Sequence, residues 1–133
     1  MDQRELEMQF QYVSSQIEDA KRQLGELRLV LQEAQETLLA LAELETKPKS
    51  TMTSLGSSVF VPTTIKSDKV IAPVGANVFT EQTPQQAMAV IEQRATKLSE
   101  AAKNIENTLQ QMLNLRQQLI QQAQSQNQQN QNE

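Results

Sequence analysis

The sequence predicts an α+β chain. Its frame is a long antiparallel coiled-coil helical hairpin, with two β-hairpins inserted between the helices and forming an oligomeric barrel hub. Three observations predict it. Pro48, Pro62, Pro73 and Pro84 all fall in the middle third of the 133-residue chain, with Gly56 and Gly75, so the flanks are nearly free of breakers. Both flanks carry apolar residues at spacings that alternate four and three. The middle third carries short β-branched and aromatic runs instead.

The first flank, residues 2–46, places Leu6, Phe10, Val13, Ile17, Ala20, Leu24, Leu27, Leu31, Ala34, Leu38 and Leu41 on one stripe. A stripe repeating every 3.5 residues stays on one face only when two helices supercoil. Its neighbours are mostly Gln, Glu, Asp, Arg and Lys, and Glu18 and Arg22 stand one turn apart in the favourable order for an ion pair.

The connector, residues 51–80, repeats internally. Leu55-Gly56-Ser57-Ser58-Val59-Phe60 aligns with Val74-Gly75-Ala76-Asn77-Val78-Phe79, so two hairpins are expected to reverse near Gly56 and Gly75. Pro62 and Pro73 then belong at strand ends or edges. Val59, Phe60, Val61, Ile65, Val70, Ile71, Val74, Val78 and Phe79 supply its apolar surface, with Val59 and Val61 on one side of a strand and Phe60 on the other. Two hairpins cannot cover both of their own faces. The expected resolution is assembly, with hairpins of several subunits closing into a barrel or double sheet.

The second flank, residues 84–125, continues the alternation through Met88, Ile91, Ala95, Leu98, Ala102, Ile105, Leu109, Met112, Arg116, Leu119 and Ala123. Only Arg116 is polar. Thr83 reads as the N-cap, Pro84 as the first helical residue and Gln86 as its capping-box partner. Antiparallel pairing brings Leu41 near Met88 and the two chain termini together. Residues 126–133, rich in Gln and Asn, are expected to be disordered.

Charge follows the same division: residues 1–46 carry four basic and ten acidic side chains, residues 47–80 four basic and one acidic. With no His, no Cys, and no nucleotide-binding glycine loop, no catalytic residue, cofactor or metal ligand is expected, and the chain does not read as an enzyme. A net charge of −4 argues against nucleic acid. No apolar run reaches the ~20 residues of a bilayer span and the first residues do not form a signal peptide, which together predict a cytoplasmic protein with no membrane partner.

Apolar residues off the seam gather toward the termini: Met8 and Tyr12 beside Phe10, and Leu113, Leu115 and Ile120 beside the second stripe. With Arg116 interrupting the seam there, the helices are expected to splay and expose a binding surface.

Ser54 to Glu81, SLGSSVFVPTTIKSDKVIAPVGANVFTE, resembles the paired glycine turns and strand–Lys/Asp–strand insert of prefoldin subunits of the α class, of archaeal type. Ala87-Met88 is similar to the start of that family's second helix, and two hairpins match the α class. The resemblance covers essentially the whole chain. It implies an ATP-independent chaperone, a hexamer of two α and four β-class subunits with a double β-barrel hub, and transfer of unfolded proteins to a group II chaperonin. Carried onto this chain, the nine connector residues named above hold the hub. Leu6, Met8, Phe10, Val13, Leu115, Leu119 and Ile120 form the surface for unfolded clients. The competing reading is a structural coiled-coil adaptor that grips one folded partner.

Overall fold

The computed structural model describes residues 2–133. Its elements run α1 (Gln3–Glu45), β1 (Ser50–Gly56), β2 (Val59–Thr64), β3 (Val70–Gly75), β4 (Val78–Gln82) and α2 (Pro84–Gln131). At 1.5 Å per residue, α1 is about 65 Å long and α2 about 72 Å. The chain divides into two compact units, residues 1–30 with 98–133, and residues 31–97.

In the first unit the heptad stripes form the seam. Leu6, Val13, Ile17 and Leu119 are buried together, and Leu109, Met112, Leu113 and Ala123 pack against them. Ile17 is fully enclosed. Burying a side chain of that size contributes roughly 1.5–3 kcal/mol. Leu24 and Ala102 are buried as well. An ion pair joins the helices outside the seam, Arg28 Nη2 to Glu106 Oε1 at 3.1 Å, in an exposed position where it contributes little. Arg22 pairs with Asp19 at 3.4 Å rather than with Glu18, so the expected i,i+4 pair is replaced by an i,i+3 pair. The two geometries are close in energy on a solvated helix face.

The C-terminal tail departs from the expectation of disorder: α2 continues to Gln131. Glutamine is a good helix former, and Ala123 anchors the last part of the helix to the cluster, so extending it costs little.

In the second unit, β1 pairs with β2 and β3 with β4, each an isolated antiparallel two-stranded sheet. The repeat seen in sequence is a repeat in backbone conformation. Gly56, Ser57 and Ser58 have φ of 100°, 50° and 62°, and Gly75, Ala76 and Asn77 have φ of 117°, 49° and 60°. Positive φ at both turn residues is the form that matches the twist of a two-residue hairpin. Each register also shifts by one residue at the same place, between Ser54 and Gly56 and between Pro73 and Gly75. In the first hairpin Phe60 stands opposite Ser54, and Val61 opposite Thr53. Phe60 therefore shares one face with Met52 and Pro62, while Val59 and Val61 share the other, as the alternation predicted.

The boundaries of α2 and α1 have local causes. The Thr83 N–H donates to Gln86 Oε1 at 3.1 Å, and the Gln86 N–H donates to Thr83 Oγ1 at 3.2 Å, a complete capping box with Pro84 behind it. Thr83→Ala is expected to cost about 1 kcal/mol, read as a lowered midpoint of thermal unfolding by circular dichroism. At the end of α1 the Thr46 and Lys47 N–H groups donate to the carbonyls of Glu43 and Leu44, Lys47 takes a left-handed φ of 54°, and Pro48 prevents continuation. Leu41, Pro84 and Ala87 are buried around this region of the unit.

Candidate functional site

Each unit presents one apolar surface. In the second unit it lies on the hairpins. Val59, Phe60, Val61, Ile71, Val74, Val78 and Phe79 are all exposed, Ile71 to 75%. Isolated two-stranded hairpins are marginal in water, and so much exposed apolar surface is unusual for a monomer.

Two of the nine connector residues do something else. Ile65 and Val70 are half-buried and line a hollow of about 290 Å³ with Leu44, Pro48 and Pro84. They close the segment between β2 and β3 onto the end of α1, because the chain must turn back there and shelters its apolar side chains against the nearest helix. The four lysines of the connector, Lys47, Lys49, Lys66 and Lys69, rim the same hollow. Conversely, Met52 and Leu55 on β1 are exposed and extend the hairpin surface, though sequence reasoning passed over them. The nineteen-residue offset could have found them: it superposes Met52 on Ile71 and Leu55 on Val74.

In the first unit, the surface lies at the end where the two chain termini meet. The expected splaying does not occur. Leu6, Val13 and Leu119 are sealed within the buried cluster. Arg116 is only half-buried, which suits a long stem that covers the seam while its guanidinium reaches water. One polar position in the stripe therefore does not open it.

The apolar area that remains is beside the seam. Met8, Tyr12 and Leu115 are exposed on outer faces, Phe10 is 37% exposed and Ile120 half-buried. Phe10 is the most exposed member of the first stripe. It borders a shallow groove of about 290 Å³ whose other apolar contributors are Leu6, Leu119, Ile120 and Ala123. Glu7 and Gln11, one turn apart on α1, form one wall, and Gln124 and Asn127 on α2 form the other. Of the seven residues expected to meet clients, the structure thus gathers Leu6, Phe10, Leu119 and Ile120 at one groove, with Leu6 and Leu119 as its floor. It places Val13 inside the seam and Met8 and Leu115 away from the groove. Sequence reasoning missed Ala123 as lining because it read that residue only as seam. It missed Gln124 and Asn127 because it read their neighbourhood as tail.

Among the described residues no group of three or more metal-ligating side chains comes together, and no helix is long and apolar enough to cross a membrane.

Comparison with known proteins places this architecture. The Prefoldin family model, described as prefoldin subunit, matches residues 13–131. Prefoldin subunit alpha of Methanococcoides burtonii is 28% identical over 114 residues, covering 84% of this chain and 83% of that protein. Prefoldin subunit alpha of Picrophilus torridus is 31% identical over 98 residues, covering 73% and 70%. In three dimensions the chain resembles a subunit of filamentous PFD from Methanocaldococcus jannaschii, solved by cryo-EM. The TM-score is 0.68 and the identity 24%, over 84% of this chain and 95% of that one. Two long helices with two β-hairpins between them are common to both folds, and the chain belongs to the prefoldin family.

Proposed function

We infer that this chain is an ATP-independent chaperone subunit. Its hairpins join those of β-class prefoldin subunits, two α with four β, in a hexamer. The terminal ends of its helices hold unfolded polypeptides and pass them to a group II chaperonin. Family membership supports a chaperone role, and the observation that carries the reading further is the pair of hairpins with nine exposed large apolar side chains. A surface of that kind stabilises only an assembly, and an assembly multiplies weak contacts. Each groove is small, so a single contact dissociates readily. Several grooves in one particle raise the effective concentration and retain a client without a tight site. Release then needs no nucleotide.

Mixing the chain with a β-class archaeal prefoldin subunit is expected to give one complex whose light-scattering mass corresponds to six subunits. That complex is expected to suppress aggregation of a chemically denatured protein equally with and without ATP. A particle that binds one native protein saturably and leaves aggregation unchanged would contradict the chaperone reading.

A further inference from the structure

The Gln/Asn-rich end of the chain gives Leu119 and Ala123 to the seam, and its other residues continue the helix directly past the groove. Residues 117–132 contain no charged side chain, and the last turn of α2 has no basic residue. Glutamine's propensity keeps the segment helical, but helix stability does not account for its lack of charge. Cations near the C-terminus would offset the helix dipole, and asparagine is a poor helix former. The amides are nevertheless placed at the groove: Gln124 and Asn127 lie three residues apart on one face of α2, and Gln11 faces them from α1. All three are exposed, and none of their side-chain amides has a hydrogen-bond partner among the described residues.

We propose that Gln11, Gln124 and Asn127 hydrogen-bond the backbone of an extended, unfolded polypeptide while one of its apolar side chains fills the groove between Phe10 and Ile120. The chemistry matches that occupant. An unfolded chain offers one N–H and one C=O at every residue, whatever its sequence, and a side-chain amide carries both a donor and an acceptor. Glu7 is the one charged residue of the groove; the α2 wall is neutral, and its amides do not discriminate by the client's charge as charged walls would. A native protein has already paired most of its backbone, so the same walls favour unfolded chains over folded ones. The groove's volume of about 290 Å³ admits a large side chain but not a folded surface. The apolar floor supplies affinity and the amides supply the preference for free backbone. The proposal rests on the chaperone reading and adds to it the class of group recognised.

The test uses the assembled full-length chain and two labelled peptides alternating Leu and Ser, one ordinary and one with N-methylated backbone. The triple variant Gln11→Ala, Gln124→Ala, Asn127→Ala should fold, because alanine is the better helix former. Loss of up to three neutral hydrogen bonds is expected to weaken the ordinary peptide about tenfold. N-methylation is expected to weaken binding to the unaltered protein several-fold and to the triple variant hardly at all, since the partners it breaks are already gone. An N-methylation penalty of equal size in both proteins would overturn the proposal, as would unchanged peptide affinity in the triple variant. Phe10→Ser separates the two levels. If it too leaves peptide binding unchanged, the groove is not the client site and the underlying reading fails. If it abolishes binding while the amide variant does not, only the backbone role fails.

Discussion

Phe60→Asp combined with Phe79→Asp is expected to break the assembly into much smaller species while leaving both helices folded. Each phenylalanine projects from its hairpin into solvent in the isolated chain, 55% and 61% exposed, and neither belongs to a helix stripe. The substitution therefore removes nothing from the coiled coil, and far-UV circular dichroism should keep its helical signal. In the proposed assembly the same positions would be sheet-to-sheet contacts. Burying an unpaired carboxylate there costs several kcal/mol per site in addition to the lost apolar burial. Two such sites in every α subunit exceed what a non-covalent hub can absorb. Light scattering is expected to show a shift to monomer or small complexes. Ile65→Ser is the informative control: that side chain shelters against the end of α1, so it should lower thermal stability more than it lowers mass. A particle of unaltered mass carrying both aspartates would mean that the exposed hairpin faces are not the assembly surface.

The contrast between legible and illegible parts follows from what periodicity encodes. Twenty-one of the twenty-two stripe positions are at least half-buried because a heptad pattern states directly which face of a helix meets another. The capping box at Thr83 and Gln86 and the turns after Gly56 and Gly75 were legible because each depends on residues within a few positions of one another. The candidate site was less legible. Whether Leu6 and Leu119 line a surface or a core depends on how closely two helices pack, and no spacing rule reports that distance. Arg116 looked like a breach because sequence records its charge but not the reach of its stem. Phe10 is the opposite case. Its position in the stripe predicted burial, yet it is 37% exposed and lines the groove with Ala123. The helical tail was misread because low complexity was weighed above the helix propensity of glutamine.

That division within the terminal cluster gives the second large effect. Phe10→Ser with Ile120→Ser is expected to abolish most suppression of client aggregation while lowering the melting temperature less than Leu119→Ser does, because both side chains already face solvent in part. Each change removes an apolar contact of the order of 1.5–3 kcal/mol from a bound client. With several grooves acting together, the loss is multiplied across the particle, so a tenfold or greater rise in the concentration needed for half-suppression is expected. Leu119→Ser should behave differently. Leu119 is 4% exposed and belongs to the buried cluster with Leu6, Val13 and Ile17, so its truncation opens a cavity and strands a hydroxyl, at about 2–5 kcal/mol. Its loss of activity should track a lowered unfolding midpoint and be partly restored at lower temperature, whereas the Phe10 and Ile120 variant should stay inactive at every temperature at which it is folded. Met8→Ser with Tyr12→Ser tests the outer face of α1 by the same assay. If that pair, and not Phe10 with Ile120, removes suppression at unchanged stability, clients bind the outside of the helix and the groove is incidental.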